Sequence, residues 1–495
     1  MELMSKVLAF ASVIISVVHT TEVLVTTNVG QIRGIKTEET FNGRIFSVNR
    51  FLGVPYAEST AGDARFKKPM KKAPFTDVFN ATTEAPSCVA NNNIFPTNAE
   101  QSEDCLTLNI IIPDTALTDK RFPRAVMVWI YGGGFQAGAQ NEYLAPALVG
   151  LNDVIFVSMN YRISLYGFLG SKKHGIEGNF GLWDQHMAIQ WVHDNIQAFG
   201  GDKAKVTIFG ESAGSAAVFY QTLYPGNQGL FQRAIAESGG IGGYWSYTSD
   251  PDAAFEHIAS EVGCHDDLVA CLRSKTNEDF QKALSMQTFF SPIQDGEFVT
   301  FDPAQMITDD TFSSGVFNDI DFIIGMNNNE GLMSLYMLAL LSNRSMEEFS
   351  SGISEEDFLS FIPQTLNLNR LPDDEALVRA ITHEYTDWTD PSNPISRRDG
   401  YLQQAMDMDF TTTITQRLYA RSRSSRATYA YVFEQRPFFS MMPTWAEGAS
   451  HADEIGFVLG FPANSYGVDS EGAPADQIKL AEDMMLYWTF FAKTG

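Results

Sequence analysis

An α/β fold, a mostly parallel central sheet flanked by helices, is what this sequence predicts, and three observations carry the prediction. First, buried-strand runs recur far apart along the chain: Ala125-Val-Met-Val-Trp-Ile-Tyr131, Lys205-Val-Thr-Ile-Phe209, Asp319-Ile-Asp-Phe-Ile-Ile-Gly-Met326 and Ala427-Thr-Tyr-Ala-Tyr-Val-Phe433. Continuous apolar or β-branched stretches of this kind suit strands covered on both faces. Second, the run ending at Phe209 passes through a glycine-flanked turn straight into the small-residue helix Ser215-Ala-Ala-Val-Phe-Tyr220. Third, 495 residues at 44% apolar content can bury a sizeable core. A prior of about 150 residues per domain would give three domains. The core strands and active-site segments spread from residue 105 to 451 instead, which favours one large domain over 21–495. No internal repeat, low-complexity tract or long linker interrupts it, and the helix-rich, acidic segment around 335–400 reads as insertions capping the sheet.

The strand-turn-helix junction holds Gly210-Glu211-Ser212-Ala213-Gly214. The bare G-x-S-x-G pattern is weak, since chance supplies about 0.2 matches in a chain of this composition. Its setting between a β-branched strand and a helix is that of a nucleophile elbow, where a strained backbone presents the serine hydroxyl and flanking glycines let neighbouring elements approach. Upstream, the strand ending at Tyr131 runs into Gly132-Gly133-Gly134-Phe135. In an α/β-hydrolase the loop after that strand, together with the residue after the nucleophile, donates N–H groups to an oxyanion. The three glycines after Tyr131 and Ala213 after the serine are the candidates here.

A serine hydroxyl needs a base, and the base an orienting carboxylate, in the chain order Ser, acid, His. The eight histidines stand at 19, 174, 186, 193, 257, 265, 383 and 451, and the last four follow Ser212. His451 lies in Trp445-Ala-Glu-Gly-Ala-Ser-His451-Ala-Asp-Glu454, after the strand-like Ala427–Phe433 and before an apolar run. That suits a loop at a strand's carboxyl end. For the acid, the strand 319–326 passes through three asparagines to Glu330-Gly331. Position alone leaves Glu330 open to a second reading, a helix N-terminal glutamate that complements the macrodipole.

Five separated motifs, in order, resemble the type-B carboxylesterase and cholinesterase family: Ser102-Glu-Asp-Cys-Leu-Thr-Leu-Asn109, Asn160-Tyr-Arg162, Gly178-Asn-Phe-Gly-Leu-Trp-Asp-Gln185, Trp191-Val-His-Asp-Asn-Ile196 and Gly210–Gly214. The resemblance spans nearly the whole chain after its leader. It implies the α/β-hydrolase fold and a serine esterase with Ser212, Glu330 and His451 as its triad and Gly133, Gly134 and Ala213 as its oxyanion donors. It further implies supporting groups at Glu211, Ser238 and Glu454, ion pairs Arg65–Glu103 and Arg162–Asp184, and disulfides Cys88–Cys105 and Cys264–Cys271. Read from the residues alone, the ion pairs could equally be surface pairs of little worth, and four cysteines allow three connectivities.

Departures from the resemblance point to a carboxylesterase rather than a true cholinesterase. Cholinesterases hold the choline cation against a tryptophan in the first disulfide loop. Here the stretch between Cys88 and Cys105 has no tryptophan, and Phe95 is its one aromatic. Around Thr288 and Phe289, and at Met333 and Ser334, the residues matching the aromatic lining are mostly smaller or flexible, which predicts a roomier acyl pocket. A bile-salt-activated-type lipase and a cholinesterase are the alternatives among enzymes. A neuroligin-like adhesion ectodomain is the alternative outside them, although those lack a complete triad.

The net charge of −26, from 34 basic and 60 acidic residues, disfavours nucleic acid and anionic membranes as partners. A small-molecule or lipid ester is the expected partner, and no protein partner is indicated. No cofactor or metal is expected, since the cysteines and histidines form no zinc-like spacing. Residues 1–20, with Lys6 before the apolar stretch Val7–Val18, fit a signal peptide. Export gives meaning to the cysteines and to the glycosylation sequons at Asn80 and Asn343. Leu486–Gly495 resembles a family helix that leads into further residues, so the sequence is expected to be C-terminally incomplete.

Overall fold

Described here from a computed structural model are residues 21–495 apart from 95, 98, 244, 286–287, 304–315, 369–373 and 462–469. The apolar runs become neighbours in one sheet. Its strands are β1 Thr21–Thr27, β2 Gly30–Phe41, β3 Arg44–Pro55, β4 Thr107–Pro113, β5 Arg124–Ile130, β6 Ile155–Met159, β7 Gly201–Glu211, β8 Arg233–Glu237, β9 Asp321–Asn327 and β10 Thr428–Phe433. They lie in the order β1-β2-β3-β4-β6-β5-β7-β8-β9-β10, with the short strand Phe79–Asn80 beside β2. From β6 to β10 every pairing is parallel, and from β1 to β6 through β4 every pairing is antiparallel. Residues of β4, β5 and β6 are buried along their full length, which is why they read as unbroken apolar runs.

Helices cover the sheet. Among them are α1 Phe180–Asn195 and α2 Ala213–Leu223, whose small residues let it lie fully buried against β7 and β8. The acidic segment after residue 330 forms α3 Gly331–Leu341, α4 Glu355–Leu368, α5 Glu375–Glu384 and α6 Pro394–Met406. These gather a second hydrophobic cluster of their own, with Leu335, Phe349, Ile362 and Tyr401 at its centre. A π-turn, Asp407–Thr411, joins α6 to α7 Thr412–Arg421. The short α8 Ile455–Leu459 follows His451, and α9 Ala475–Thr494 ends the chain. No helix among the described residues is long and apolar enough to cross a membrane.

Both disulfides form, Cys88–Cys105 and Cys264–Cys271. The two ion pairs are interior features, not surface ones. Arg162 and Asp184 are 4% and 0% exposed, and their paired bonds are 2.7 Å long. Arg65 forks onto Glu103 and donates to the carbonyls of Leu272, Arg273 and Lys275, which ties the two disulfide regions together.

Candidate active site

Carboxyl ends of parallel strands are where an open α/β sheet gathers ligands, and the candidate residues meet there. Ser212 follows β7 with φ 58° and ψ −121°, a strained conformation for a residue with a Cβ. Its N–H donates to the carbonyl of Glu237 at 2.9 Å and its own carbonyl accepts from Ala216 at 3.0 Å, so the neighbouring strand and helix hold the strain. Close packing explains Gly210 and Gly214: a Cβ on them would stand 2.4 and 1.9 Å from the carbonyl oxygen of Ile130. That contact brings the end of β5, and with it Gly133 and Gly134, against the serine.

His451 Nε2 lies 2.8 Å from Ser212 Oγ, and its Nδ1 lies 2.7 Å from Glu330 Oε2. With the Nδ1 hydrogen accepted by Glu330, Nε2 keeps its lone pair toward the hydroxyl, the tautomer a general base requires. Glu330 does stand at the start of α3, as its second reading supposed, but it makes no side-chain cap there. Its Oε1 instead accepts from the Asn327 N–H at 2.8 Å.

The three asparagines before Glu330 turn out to be the clamp between the two loops. Asn327 Nδ2 donates to the Ser450 carbonyl and to Glu454 Oε2, both at 2.6 Å. Asn328 Oδ1 accepts from Ala449 N–H at 2.8 Å, and Asn329 Nδ2 donates to the Glu447 carbonyl at 2.8 Å. Sequence reasoning passed over them, although a run of amides directly after a buried strand was the available signal.

Gly133 and Gly134 border the cavity at Ser212, with φ 95° and 62°. At Gly133 a Cβ would meet the Ala137 carbonyl oxygen at 2.5 Å, so the tight turn there demands glycine. Ala213 is the first residue of α2, and a helix leaves its opening N–H groups without intrahelical acceptors. Gly133 and Gly134 thus share a cavity wall with Ser212, and Ala213 follows it directly. The Carboxylesterase family pattern matches residues 21–495. This chain belongs to the carboxylesterase family. It is similar to the acetylcholinesterase of Electrophorus electricus, 34% identical over 535 aligned residues that cover 96% of this chain and 80% of the relative. It is similar also to the acetylcholinesterase of Bungarus fasciatus, 33% identical over 502 residues covering 96% and 78%. Membership makes it a serine ester hydrolase acting on carboxylic esters of small molecules.

Around the Ser212–His451–Glu330 cluster this esterase buries three further glutamates, Glu211, Glu237 and Glu454. Glu211 Oε1 lies 3.2 Å from His451 Nε2. Glu454 accepts from Ser238 Oγ at 3.3 Å as well as from Asn327. Glu237, level with Glu211 across the strand pair, accepts from Trp488 Nε1 of α9 at 2.8 Å. Burial pushes Glu211 up to about 8, against the pull of His451 and with the help of Glu454 and Glu330. Burial and Glu330 raise Glu454 to about 7. For His451 burial alone would lower the value, but Glu211 and Glu330 outweigh it and raise it to about 10. The two shifts are linked: a proton on Glu211 removes the charge that helps hold one on His451. General-base action needs the neutral imidazole, so the acid limb of the pH–rate profile follows His451. Replacing Glu211 by glutamine removes a negative neighbour of the imidazolium and lowers that value. With His451 as the base, Glu211→Gln is therefore expected to move the acid limb of kcat/KM to lower pH, measured between pH 6 and 11 with an ester whose leaving group does not titrate there.

The cavity at Ser212 measures about 490 Å³, well inside the ordinary range for small-molecule sites. Phe289, Met333 and Ser334 line it as expected. Thr288 does not: its hydroxyl pairs with Ser285 at 2.7 Å outside the cavity wall. Trp245, Tyr143, Ile94, Glu142, Asp409 and Phe410 also line it, none of them signalled by sequence. Phe95 lies outside the described residues.

Proposed function

We propose that this protein is an exported serine carboxylesterase. Ser212 attacks the ester carbonyl while His451 takes its proton, and Glu330 stabilises the imidazolium that results. Negative charge on the carbonyl oxygen is met by the N–H groups of Gly133, Gly134 and Ala213. Collapse expels the alcohol, protonated by His451, and leaves an acyl-serine. Water, activated by the same imidazole, then releases the acid. The observation that supports this most is one imidazole within 2.8 Å of the serine oxygen and 2.7 Å of the glutamate.

Preference for carboxylic esters over choline esters draws on the first disulfide loop, which has no tryptophan, and on Met333 and Ser334 in the cavity wall. The roomy wall beside Met333 and Ser334 takes the acyl group, so acids longer than acetic are accepted. A cholinesterase is the second reading, favoured by the identity of about a third with two acetylcholinesterases. Export is supported by two disulfides, which persist in oxidising compartments. Sequons at Asn80 and Asn343, both exposed, fit the same route, and residues 1–20 would be its leader. The test is hydrolysis of p-nitrophenyl acetate, p-nitrophenyl butyrate and acetylthiocholine, with a fluorophosphonate that tags active serines. Expected are turnover of butyrate at least equal to acetate, little thiocholine release, and a tagged peptide containing Ser212. Fast thiocholine release would move the assignment to cholinesterase. A folded protein with neither turnover nor tag would sink the enzyme and leave partner binding.

A further inference from the structure

Helix α3 begins directly after Glu330, and none of its eleven residues, Gly331–Leu341, is charged. By contrast α4, α5 and α6 of the same insertion each carry three charged side chains. A helix apolar all round belongs in an interior, yet α3 is covered on one side only. Leu332, Leu335, Leu338 and Ala339 are buried in the second hydrophobic cluster. At about 100° per residue, the opposite face carries Met333, Met337, Leu340 and Leu341 within about 100° of arc, with Tyr336 at its border. Met333 and Met337, nearer Glu330, line the cavity that holds Ser212. The next residues on that face, Leu340 and Leu341, are 38% and 42% exposed. One apolar row thus starts inside the cavity and ends in solvent.

Single exposed leucines are ordinary, but these two continue the wall of a substrate cavity along the same helix face. From Met333 to Leu341 the row spans about 12 Å at 1.5 Å per residue. An extended hydrocarbon chain advances about 1.2 Å per bond, so about ten bonds cover it. Such a chain and such a row both gain by leaving water together, and the unbranched methionine side chains adapt to what lies on them. We propose that the outer face of α3 carries the acyl tail out of the cavity, from Met333 past Met337 to Leu340 and Leu341, so that the site selects esters of unbranched acids of about ten to twelve carbons. The inference rests on the esterase reading above and narrows its substrate class.

It is tested with p-nitrophenyl octanoate and dodecanoate, each below the concentration at which it aggregates, and with methyl dodecanoate beside dodecyl acetate. The enzyme is compared with the double variant Leu340→Ser/Leu341→Ser, with Met337→Gln and, as a control, with Leu486→Ser at an exposed position of α9. Each protein is also tagged with the fluorophosphonate. Full burial of a methylene is worth about fourfold, and a half-open face about two- to threefold, so dodecanoate exceeds octanoate by about 15- to 80-fold in kcat/KM. That ratio falls by about fivefold or more in the leucine pair and in Met337→Gln, and it holds in Leu486→Ser. Methyl dodecanoate is cleaved faster than dodecyl acetate. Should the leucine pair not fold, Met337→Gln decides. A tagged, active enzyme that prefers octanoate, or whose dodecanoate preference is the same in every variant, overturns this inference alone. So does faster cleavage of dodecyl acetate, which would put the tail on the alcohol side. Absence of both tag and turnover overturns the esterase reading with it.

Discussion

Ser212→Ala is expected to lower kcat for p-nitrophenyl butyrate by about a million-fold, the scale of nucleophile loss in a serine hydrolase. The size follows from what the hydroxyl does that nothing near it can replace. Its oxygen is the group within 2.8 Å of His451 Nε2. The N–H groups at Gly133, Gly134 and Ala213 survive the change and leave a residual acceleration of about 10³ to 10⁴ over water. Since the proposed mechanism has the serine and histidine act as one unit, the double variant Ser212→Ala/His451→Ala should be no slower than either single one. Stopped-flow and long-time assays of the three variants check both statements. Activity retained within tenfold in Ser212→Ala would mean that another nucleophile acts.

Asp184→Ala is expected to destabilise the fold by about 3–5 kcal/mol, the cost of stranding a buried charge. Asp184 accepts from Arg162 Nε, Nη2 and backbone N–H, at 2.7, 2.7 and 3.0 Å. Arg162 also donates from Nη1 to the Lys67 carbonyl at 2.8 Å and lies over the Phe180 ring. Deleting the acid leaves a guanidinium in the interior with one partner. The consequence reaches the site, since the Ser164 N–H just beyond Arg162 bonds the Phe135 carbonyl at 2.6 Å, in the loop of Gly133 and Gly134. Urea unfolding should show an earlier midpoint with an unchanged slope. Asp184→Asn, which keeps an acceptor, should lose less. The exposed pair Arg121–Asp119 is the contrast, and removing it should leave the midpoint where it was.

The parallel half of the sheet was legible because its strands are covered on both faces, so burial writes itself into β5, β9 and the second half of β7 as apolar or β-branched runs. The antiparallel β1 to β3 were not read, since partly exposed strands with charges along them look like loop sequence. At the site, residues fixed by local pattern stood out: a serine between two glycines, a glutamate after a core strand, a histidine before an apolar run. Residues that matter through distant packing did not. Trp245, Phe410 and Asp409 come to the cavity from separate segments, and no local signal marks a π-turn. Likewise Glu237 reads as an ordinary strand residue until Trp488, 251 positions later, reaches it.

The buried carboxyls behind His451 also set the terms on which the chain folds. Burial above all raises Glu211 from 4.5 to about 8, Glu454 from 4.5 to about 7 and Asp453 from 3.8 to about 7. His451 rises from 6.5 to about 10 through its acidic neighbours, in spite of burial. All four shifts are upward, so the native chain holds protons that the unfolded chain has released, and folding takes protons up. The stability these groups contribute is complete below their unfolded values and is lost as pH climbs through the folded ones, between about 7 and 10. Catalysis by the proposed mechanism needs the opposite, a deprotonated His451. Shelf life and turnover therefore pull toward different ends of the pH scale: a mildly acidic medium stores the enzyme firm and idle, and an alkaline one sets it working on a weaker frame.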